Sequence, residues 1–143
     1  MRKILITGVS RGIGLELLSH FLEDKENEVI SVSRSAPDFS APIFAGALEE
    51  NRLFPFEMDL VRGEFSSMNA SLNSFGQLDI LINNAGLLIN KPFIEQTEED
   101  WQNQFNVNVL SPARLIRYLY PWLLLSGNAH VVNIGSMGGF QGS

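Results

Sequence analysis

Residues 7–14 read Thr7-Gly8-Val9-Ser10-Arg11-Gly12-Ile13-Gly14, a glycine-rich turn between two apolar runs. The run before it is Ile4-Leu5-Ile6, and the run after it is amphipathic as far as Phe21. This pattern predicts a buried strand, a tight turn and the first turn of a helix. Glycines let a phosphate approach the backbone, and the free N–H groups at a helix start attract anions.

The turn therefore predicts a dinucleotide pyrophosphate site, and a purely structural turn is the alternative. One or two glycines occur at many strand–helix junctions, so the glycines alone do not decide between the two. In the cofactor hypothesis the backbone from Gly8 to Gly14 holds the pyrophosphate, while Ser10 adds a hydroxyl group and Arg11 a positive charge.

Length and composition favour one domain over residues 1–143. Apolar residues make up 45% of the chain, and the absence of cysteine excludes disulfides and fits a reducing compartment. Met1-Arg2-Lys3 leads directly into the first strand, and residues 119–125 are too short an apolar stretch to span a bilayer. We therefore expect a cytoplasmic protein without a membrane partner. His20 and His130 lie far apart and predict no metal site.

The net charge of −6 argues against a nucleic-acid partner, because such binding rests on a basic surface. A dinucleotide is also anionic, so its site must be locally positive within an acidic protein. Arg11 and Arg34 are the candidates for that local charge.

Strand and helix patterns alternate along the chain in the manner of βαβ units. Strands are predicted at 4–7, 28–33, 53–58, 78–82 and 130–134, and helices at 12–25, 65–75 and 97–118. The stretch 37–51 is ambiguous, with a short helix at 45–50 as one option. These elements predict an α/β fold with a Rossmann-type, doubly wound parallel sheet of about five strands in the order 3-2-1-4-5. Ligands of such sheets bind at the carboxyl ends of the strands.

Ser33-Arg34-Ser35 follows the second strand, where an NAD-binding protein of this type carries an acid for the ribose 2′-hydroxyl. A carboxylate there repels the 2′-phosphate of NADP, whereas Arg34 can bind it with two hydrogen bonds. The sequence therefore predicts NADP(H) as the preferred cofactor, with NAD(H) possible. The alternative is a solvated loop arginine.

Two further polar turns follow strands three and four. Asp59-Leu60 follows the third, where an aspartate often caps the next helix. Asn83-Asn84-Ala85-Gly86 follows the fourth, where two adjacent amides can cross-link strand ends and the small residues admit a ligand.

Together, Thr-Gly-x-x-x-Gly-x-Gly and Asn-Asn-Ala-Gly resemble the two hallmarks of the short-chain dehydrogenase/reductase family. The resemblance covers essentially the whole chain and implies an oxidoreductase that transfers hydride between NAD(P) and a small carbonyl or alcohol substrate. It gives Asp59, with Leu60, a role in binding adenine, and Asn84, Ala85 and Gly86 a place in the cofactor site.

The resemblance also implies catalytic roles for Asn108 and Ser136. Ser136 ends Val131-Val132-Asn133-Ile134-Gly135-Ser136, and its hydroxyl would stabilise charge on the substrate oxygen. Pro112 lies four residues after Asn108 and has no N–H, which leaves the Asn108 carbonyl free to hold a water. In the family that water belongs to a proton relay; an incidental proline kink is the alternative.

The family places a Tyr-x-x-x-Lys pair about a dozen residues after the serine, with the tyrosine as general acid/base. The sequence ends at Ser143 before such a pair, and neither Tyr118 nor Tyr120 is followed four residues later by lysine. We therefore expect an N-terminal part that is inactive by itself. An unpaired fifth strand also predicts a homo-oligomer. The alternatives are a non-catalytic NADP(H)-binding sensor and a methyltransferase-like Rossmann protein, for which an acid in place of Arg34 is expected.

Overall fold

Five parallel strands form one sheet in the order β3-β2-β1-β4-β5, which confirms the predicted topology. The computed structural model of the chain describes residues 1–136, so the last part of the predicted 1–143 domain lies outside the described residues. The strands are β1 Lys3–Thr7, β2 Glu28–Ser33, β3 Leu53–Glu57, β4 Ile80–Asn83 and β5 His130–Asn133. The helices are α1 Gly12–Glu23, α2 Pro42–Glu49, α3 Asn69–Phe75, α4 Glu98–Phe105 and α5 Ser111–Ser126. Short 3₁₀ turns span Phe65–Met68 and Phe93–Glu95, and a π turn spans Asn106–Leu110.

Each face of the sheet packs against its own pair of helices. Side chains alternate along β1, so Ile4 and Ile6 pack with α1 and α2 on one face, while Leu5 packs with α3 and α5 on the other. Leu18 of α1 and Leu115 of α5 are fully buried on these opposite faces. Burying one such side chain stabilises the fold by about 1.5–3 kcal/mol. Both faces of the central strands are therefore closed, and binding groups must lie at the strand ends.

The helix expected at 97–118 is present as a continuous helical segment from Glu98 to Ser126, in which the π turn separates α4 from α5. Thr97 begins α4 with a capping box that includes Asp100, as the sequence pattern predicts. Pro121 lies inside α5 without ending it, and the helix continues to Gly127, whose φ is +71°. A proline removes one helical hydrogen bond, but Leu119 and Leu123 on either side remain packed in the core.

The ambiguous stretch at 37–51 contains α2, which begins at Pro42 rather than at residue 45. Proline suits the first turn of a helix, where its missing N–H has no partner in any case. Phe44 and Ala47 bury the inner face of α2. Pro55 lies in β3 at the edge of the sheet, as predicted. Within residues 1–136, no helix is long and apolar enough to cross a membrane.

Asp79 ties three elements together at the amino edge of the sheet, just before β4. Its Oδ2 accepts the Lys3 backbone N–H at 2.7 Å, and its Oδ1 accepts hydrogen bonds from Ser126 and Gln77, both at 2.6 Å. Burial raises the pKa of Asp79, but the hydrogen bonds from Ser126, Lys3 and Gln77 outweigh it and hold the pKa below its ordinary value. The charged carboxylate therefore stabilises the contact of β1 and β4 with the end of α5.

Replacing this carboxylate by Asp79→Asn is expected to lower the free energy of unfolding at pH 7 by about 1–3 kcal/mol. A lowered folded-state pKa gives stability that is present above the unfolded pKa, about 4, and is lost as pH falls through the folded pKa. The difference between the two proteins should therefore shrink below about pH 4, as measured by urea unfolding. Glu16→Gln, at an exposed position on α1, is the control. A difference that stays constant with pH would contradict the charged role.

Candidate active site

The glycine turn is pressed against the turn that follows β4. Gly8 has φ +74°, and a Cβ there would lie 2.7 Å from the Ala85 Cα. A Cβ on Gly14 would overlap the Gly8 carbonyl oxygen and the Asn84 side-chain nitrogen. Only glycine fits at these two positions, so the close contact between the turns after β1 and β4 is built into the sequence.

The start of α1 faces open space on the other side of the turn. Gly12 begins the helix with φ +60°, and a Cβ there would meet nothing within 4 Å. Arg11 precedes it in extended conformation, and no side chain caps the helix. The first backbone N–H groups of a helix lack intrahelical acceptors and lie at the positive end of its dipole. An exposed, uncapped helix start beside glycine therefore fits a pyrophosphate.

The Thr7 hydroxyl joins β1 to the turn after β4. Thr7 is 1% exposed, and its Oγ1 accepts the backbone N–H groups of Asn84 and Ala85, both at 3.1 Å. It also donates to the Ile82 carbonyl at 3.5 Å. The Asn84 side chain reciprocates by donating to the carbonyls of Thr7 and Gly8 at 3.1 and 3.0 Å. These bonds fix the crevice between the two central strands.

The neighbouring amide links the next pair of strands. Asn83 donates through Nδ2 to Oδ1 of Asn133 at 2.9 Å, and its carbonyl accepts the Ile134 N–H at 2.9 Å. The predicted cross-linking of strand ends by two adjacent amides is therefore present. The hydroxyl of Thr7, in contrast, was not anticipated from the sequence. The sequence does contain an indication of this role, because Thr7 is a polar residue that follows the apolar, buried residues of β1.

Asn108 lies in the π turn and holds the backbone beyond Gly86. Its Oδ1 accepts the Leu87 N–H and its Nδ2 donates to the Leu87 carbonyl, each at 2.8 Å. Both ends of the amide are therefore engaged by the backbone of one residue, through the two peptide groups that flank the Leu87 Cα. Pro112 cannot donate to the Asn108 carbonyl, and that this carbonyl holds a water stays a prediction.

The residues that follow β2 and β3 differ in exposure and in their hydrogen bonds. Arg34 is exposed at the end of β2. The Asp59 carboxylate accepts the Val61 N–H at 2.8 Å, and the next helical turn begins only at Phe65, so the helix-cap interpretation of Asp59 is wrong. The Leu60 side chain is 9% exposed and belongs to the core. Because the Leu60 side chain packs in the core, only the Leu60 backbone can contact a cofactor.

Ser136 is the last described residue and follows β5 at the same edge of the sheet. Asn83 pairs with Asn133, so Gly86 and Ser136 each lie three residues beyond neighbouring positions of adjacent parallel strands. The topology therefore brings the turn after β4 and the candidate catalytic serine to one edge, beside the glycine turn.

Most carboxylate–cation pairs lie at the opposite edge of the sheet. Glu28 pairs with Lys3 at 2.6 Å, and Glu50 pairs with Arg52 and Lys25 at 2.8 and 3.6 Å. Within residues 1–136, neither Arg11 nor Arg34 forms an ion pair. Their charges remain available to an anionic ligand at the carboxyl edge.

The part of the chain that the structure describes contains no group of three or more acidic or histidine side chains able to hold a metal ion. The His20 side chain is 74% exposed and lies 3.3 Å from Glu23. Trp101 and Phe105 of α4 are 45% and 51% exposed.

Comparisons with known proteins agree with this geometry. The family model described as short chain dehydrogenase matches residues 2–143. A ketoacyl reductase, HetN of Nostoc sp., is 30% identical over 99% of this chain and 50% of its own length. A short-chain dehydrogenase from Streptomyces avermitilis superposes with a TM-score of 0.80 at 32% identity, covering 97% of this chain and 51% of that one.

Two further solved structures carry nicotinamide cofactors. ElxO, with NADP bound, gives a TM-score of 0.82 at 27% identity over 99% of this chain and 58% of its own. A 4-hydroxyisoleucine dehydrogenase, complexed with NADH, gives 0.72 at 25% identity over 100% of this chain and 59% of its own. The chain spans about half the length of the curated relatives it matches.

A matched pair of substitutions distinguishes a glycine that is needed for packing, Gly14, from one that lies in open space, Gly12. Gly14→Ala is expected to destabilise the fold by about 2–4 kcal/mol, because its Cβ overlaps the Gly8 carbonyl and the Asn84 amide. Gly12→Ala meets no atoms and carries only the cost of its positive φ, about 1 kcal/mol. Thermal or urea unfolding of the two variants checks this difference, and equal destabilisation would mean that the two turns do not press together.

Proposed function

The chain belongs to the short-chain dehydrogenase family, whose members are oxidoreductases that bind NAD(P), and we propose that it is the cofactor-binding part of an NADP(H)-dependent enzyme. The substrate class is a small carbonyl compound or the corresponding alcohol. The observation that carries the proposal is the exposed, uncapped start of α1, held by Thr7 and Asn84 against the turn after β4. Such a crevice between β1 and β4 is where an open parallel sheet binds a dinucleotide.

In this proposal the pyrophosphate lies on the backbone of Gly12, Ile13 and Gly14, with Ser10 and Arg11 beside it. The carboxylate of Asp59 and the Leu60 backbone face the adenine. The residues Asn84, Ala85 and Gly86 line the path towards the nicotinamide, where the absence of large side chains leaves room. Each of these groups lies at the carboxyl edge of the sheet, which supports a single extended ligand.

The proposed preference for NADP(H) rests on Arg34. Solved relatives bind either cofactor, so the choice must come from residues of this chain. The position after β2 carries an exposed arginine without an ion pair, rather than a carboxylate. A guanidinium favours a 2′-phosphate and gains nothing comparable from a 2′-hydroxyl.

When bound, the cofactor supplies or accepts the hydride. The Ser136 hydroxyl is proposed to donate a hydrogen bond to the substrate oxygen and to stabilise the charge that develops there. Asn108 holds the Leu87 peptide in place, and its own carbonyl is proposed to bind a water in a proton path.

By itself, the 143-residue chain is proposed to be inactive. Tyr118 donates its hydroxyl to Asn69 and packs against Phe65 and Trp122, so it is committed to the core. Tyr120 is 57% exposed on α5, and the residue four positions later is Leu124. Neither tyrosine has the lysine that lowers the pKa of the family's general acid.

A non-catalytic NADP(H)-binding sensor is the second candidate function. The observation that favours it is that the proposed cofactor residues meet at the carboxyl edge of the sheet, whereas Tyr118 and Tyr120 lie on α5. Cofactor binding without carbonyl reduction by the intact protein would support the sensor. For either function we propose a cytoplasmic location and no nucleic-acid or membrane partner.

The cofactor proposal is tested by titrating the chain with NADPH and NADH and following nicotinamide fluorescence. NADPH is expected to bind more tightly, and Arg34→Asp should weaken NADPH binding about 10–100-fold while changing NADH binding little. Arg117→Asp, which makes the same charge change at an exposed position on α5, is the matched control. Equal affinities for the two cofactors in the unsubstituted chain would contradict the proposed role of Arg34.

We also propose that the chain self-associates through β5 and the outer face of α4. Within the described residues β5 pairs only with β4, and Val131 and Val132 are 41% and 40% exposed. Trp101 and Phe105 add a half-exposed aromatic surface on α4. An apolar strand with an open edge favours pairing with another strand.

Sedimentation velocity at micromolar concentration is expected to show a dimer or larger species. Val132→Lys should raise the dissociation constant about tenfold or more, because a charge on the open strand opposes pairing. His20→Lys adds the same charge on α1, where the His20 side chain is 74% exposed, and should leave the dissociation constant unchanged. A stable monomer in the unsubstituted chain would overturn this proposal.

A further inference from the structure

The segment after the Asn-Asn-Ala-Gly turn is fastened at two successive points to the unit formed by α4 and the π turn. Asn108 accepts the backbone N–H of Leu87 and donates to the Leu87 carbonyl, each at 2.8 Å. Gln104, about one helical turn earlier, accepts the Ile89 N–H through Oε1 at 3.2 Å. Leu88 lies between these two anchors, and its side chain is 81% exposed.

We propose that Gln104 is a positioning residue that acts with Asn108 to present Leu88 to an apolar substituent of the substrate. The inference rests on the proposed function, because it assigns a specificity contact to the same site. It predicts that, among such carbonyl compounds and alcohols, those with a longer apolar substituent on the reacting carbon bind more tightly.

The location of Leu88 follows from the strand register. Leu88 lies two residues beyond Gly86, where an added Cβ would come 3.6 Å from Oδ1 of Asn108. Asn83 pairs with Asn133, so this segment and the segment ending in Ser136 leave neighbouring strands at the same edge. A group placed beside Ser136 therefore lies at the same edge of the sheet as Leu88.

The hydrogen bonds on both sides of Leu88 explain how an exposed leucine can contribute to substrate binding. A leucine on an unattached loop must be ordered when it contacts a ligand, and the lost backbone entropy opposes binding. The peptide groups on both sides of Leu88 are already hydrogen-bonded to helical side chains. The contact is therefore preorganised, and most of the apolar burial becomes available for binding.

The backbone part of the inference is tested by amide hydrogen exchange of the 143-residue chain. Gln104→Leu has similar size but removes the acceptor, and exchange at the Ile89 amide is expected to rise about tenfold. Gln104→Glu keeps an oxygen acceptor and should restore slow exchange at Ile89. Unchanged Ile89 exchange in Gln104→Leu would overturn the positioning role, as would an equal rise in both variants.

The specificity part uses two probes, 2-butanone and 2-octanone, titrated against the chain saturated with NADP⁺. The NMR shift of the Gly86 amide reports binding, and the ratio of the two dissociation constants isolates the contribution of the alkyl chain. Leu88→Ser is expected to reduce the preference for 2-octanone about tenfold. Gln104→Leu should reduce the preference for 2-octanone severalfold, whereas Gln104→Glu should leave this preference unchanged.

Leu125→Ser is the matched control, since Leu125 is 67% exposed near the end of α5, beside the Ser126 that bonds Asp79 at the opposite edge. This control should keep the full preference. An unaltered ratio in Leu88→Ser, or no preference in the unsubstituted chain, would overturn the specificity role. Failure of the unsubstituted chain to bind NADPH would instead overturn the proposed function, and the exchange result at Ile89 would still decide the role of Gln104.

Discussion

The arrangement of the site depends on one buried hydroxyl group, that of Thr7. A hydroxyl offers one donor and two acceptor positions, and Thr7 uses all three on the strand end and turn of β4. Asn84 returns two hydrogen bonds to the β1 turn. Thr7 and Ile82 are buried, so loss of a partner would leave a buried polar group unpaired at a cost of about 1–3 kcal/mol. The crevice between β1 and β4 is therefore fixed before any ligand binds.

The same cross-link explains the glycines. Because Asn84 bonds the carbonyls of Thr7 and Gly8, the two turns approach so closely that side chains at positions 8 and 14 cannot be accommodated. Gly12 is different, since its surroundings are open. Two glycines thus serve contact between protein segments, and the third keeps the helix start accessible. The motif therefore combines two glycines required for packing with one that leaves the helix start open to a ligand. For this reason the spacing of the glycines predicts the site better than their number does.

The strand order and the positions of the polar turns could be predicted because they depend on local patterns, namely apolar runs followed by Gly, Asp or Asn. Features that depend on tertiary contacts could not. The π turn at Asn106–Leu110 and the passage of α5 through Pro121 require knowledge of which helix face is buried. Helix capping was one of two interpretations of Asp59, and the structure excludes it, because the carboxylate accepts the Val61 N–H within its own turn. The Gln104 bond to Ile89 joins residues 15 positions apart and has no sequence signal.

The positions of the charged side chains explain how a chain with a net charge of −6 can offer a positive site to an anionic ligand. Net charge acts at long range, but at physiological salt exposed charges are screened beyond about 8 Å. Local surroundings therefore decide binding. Glu28 and Glu50 are paired with cations at the amino edge of the sheet, whereas Arg11 and Arg34, without ion pairs in the described residues, lie beside an uncapped helix start or a strand end at the carboxyl edge. Arg11 and Arg34 thus supply local positive charge beside the crevice, although the chain as a whole is acidic.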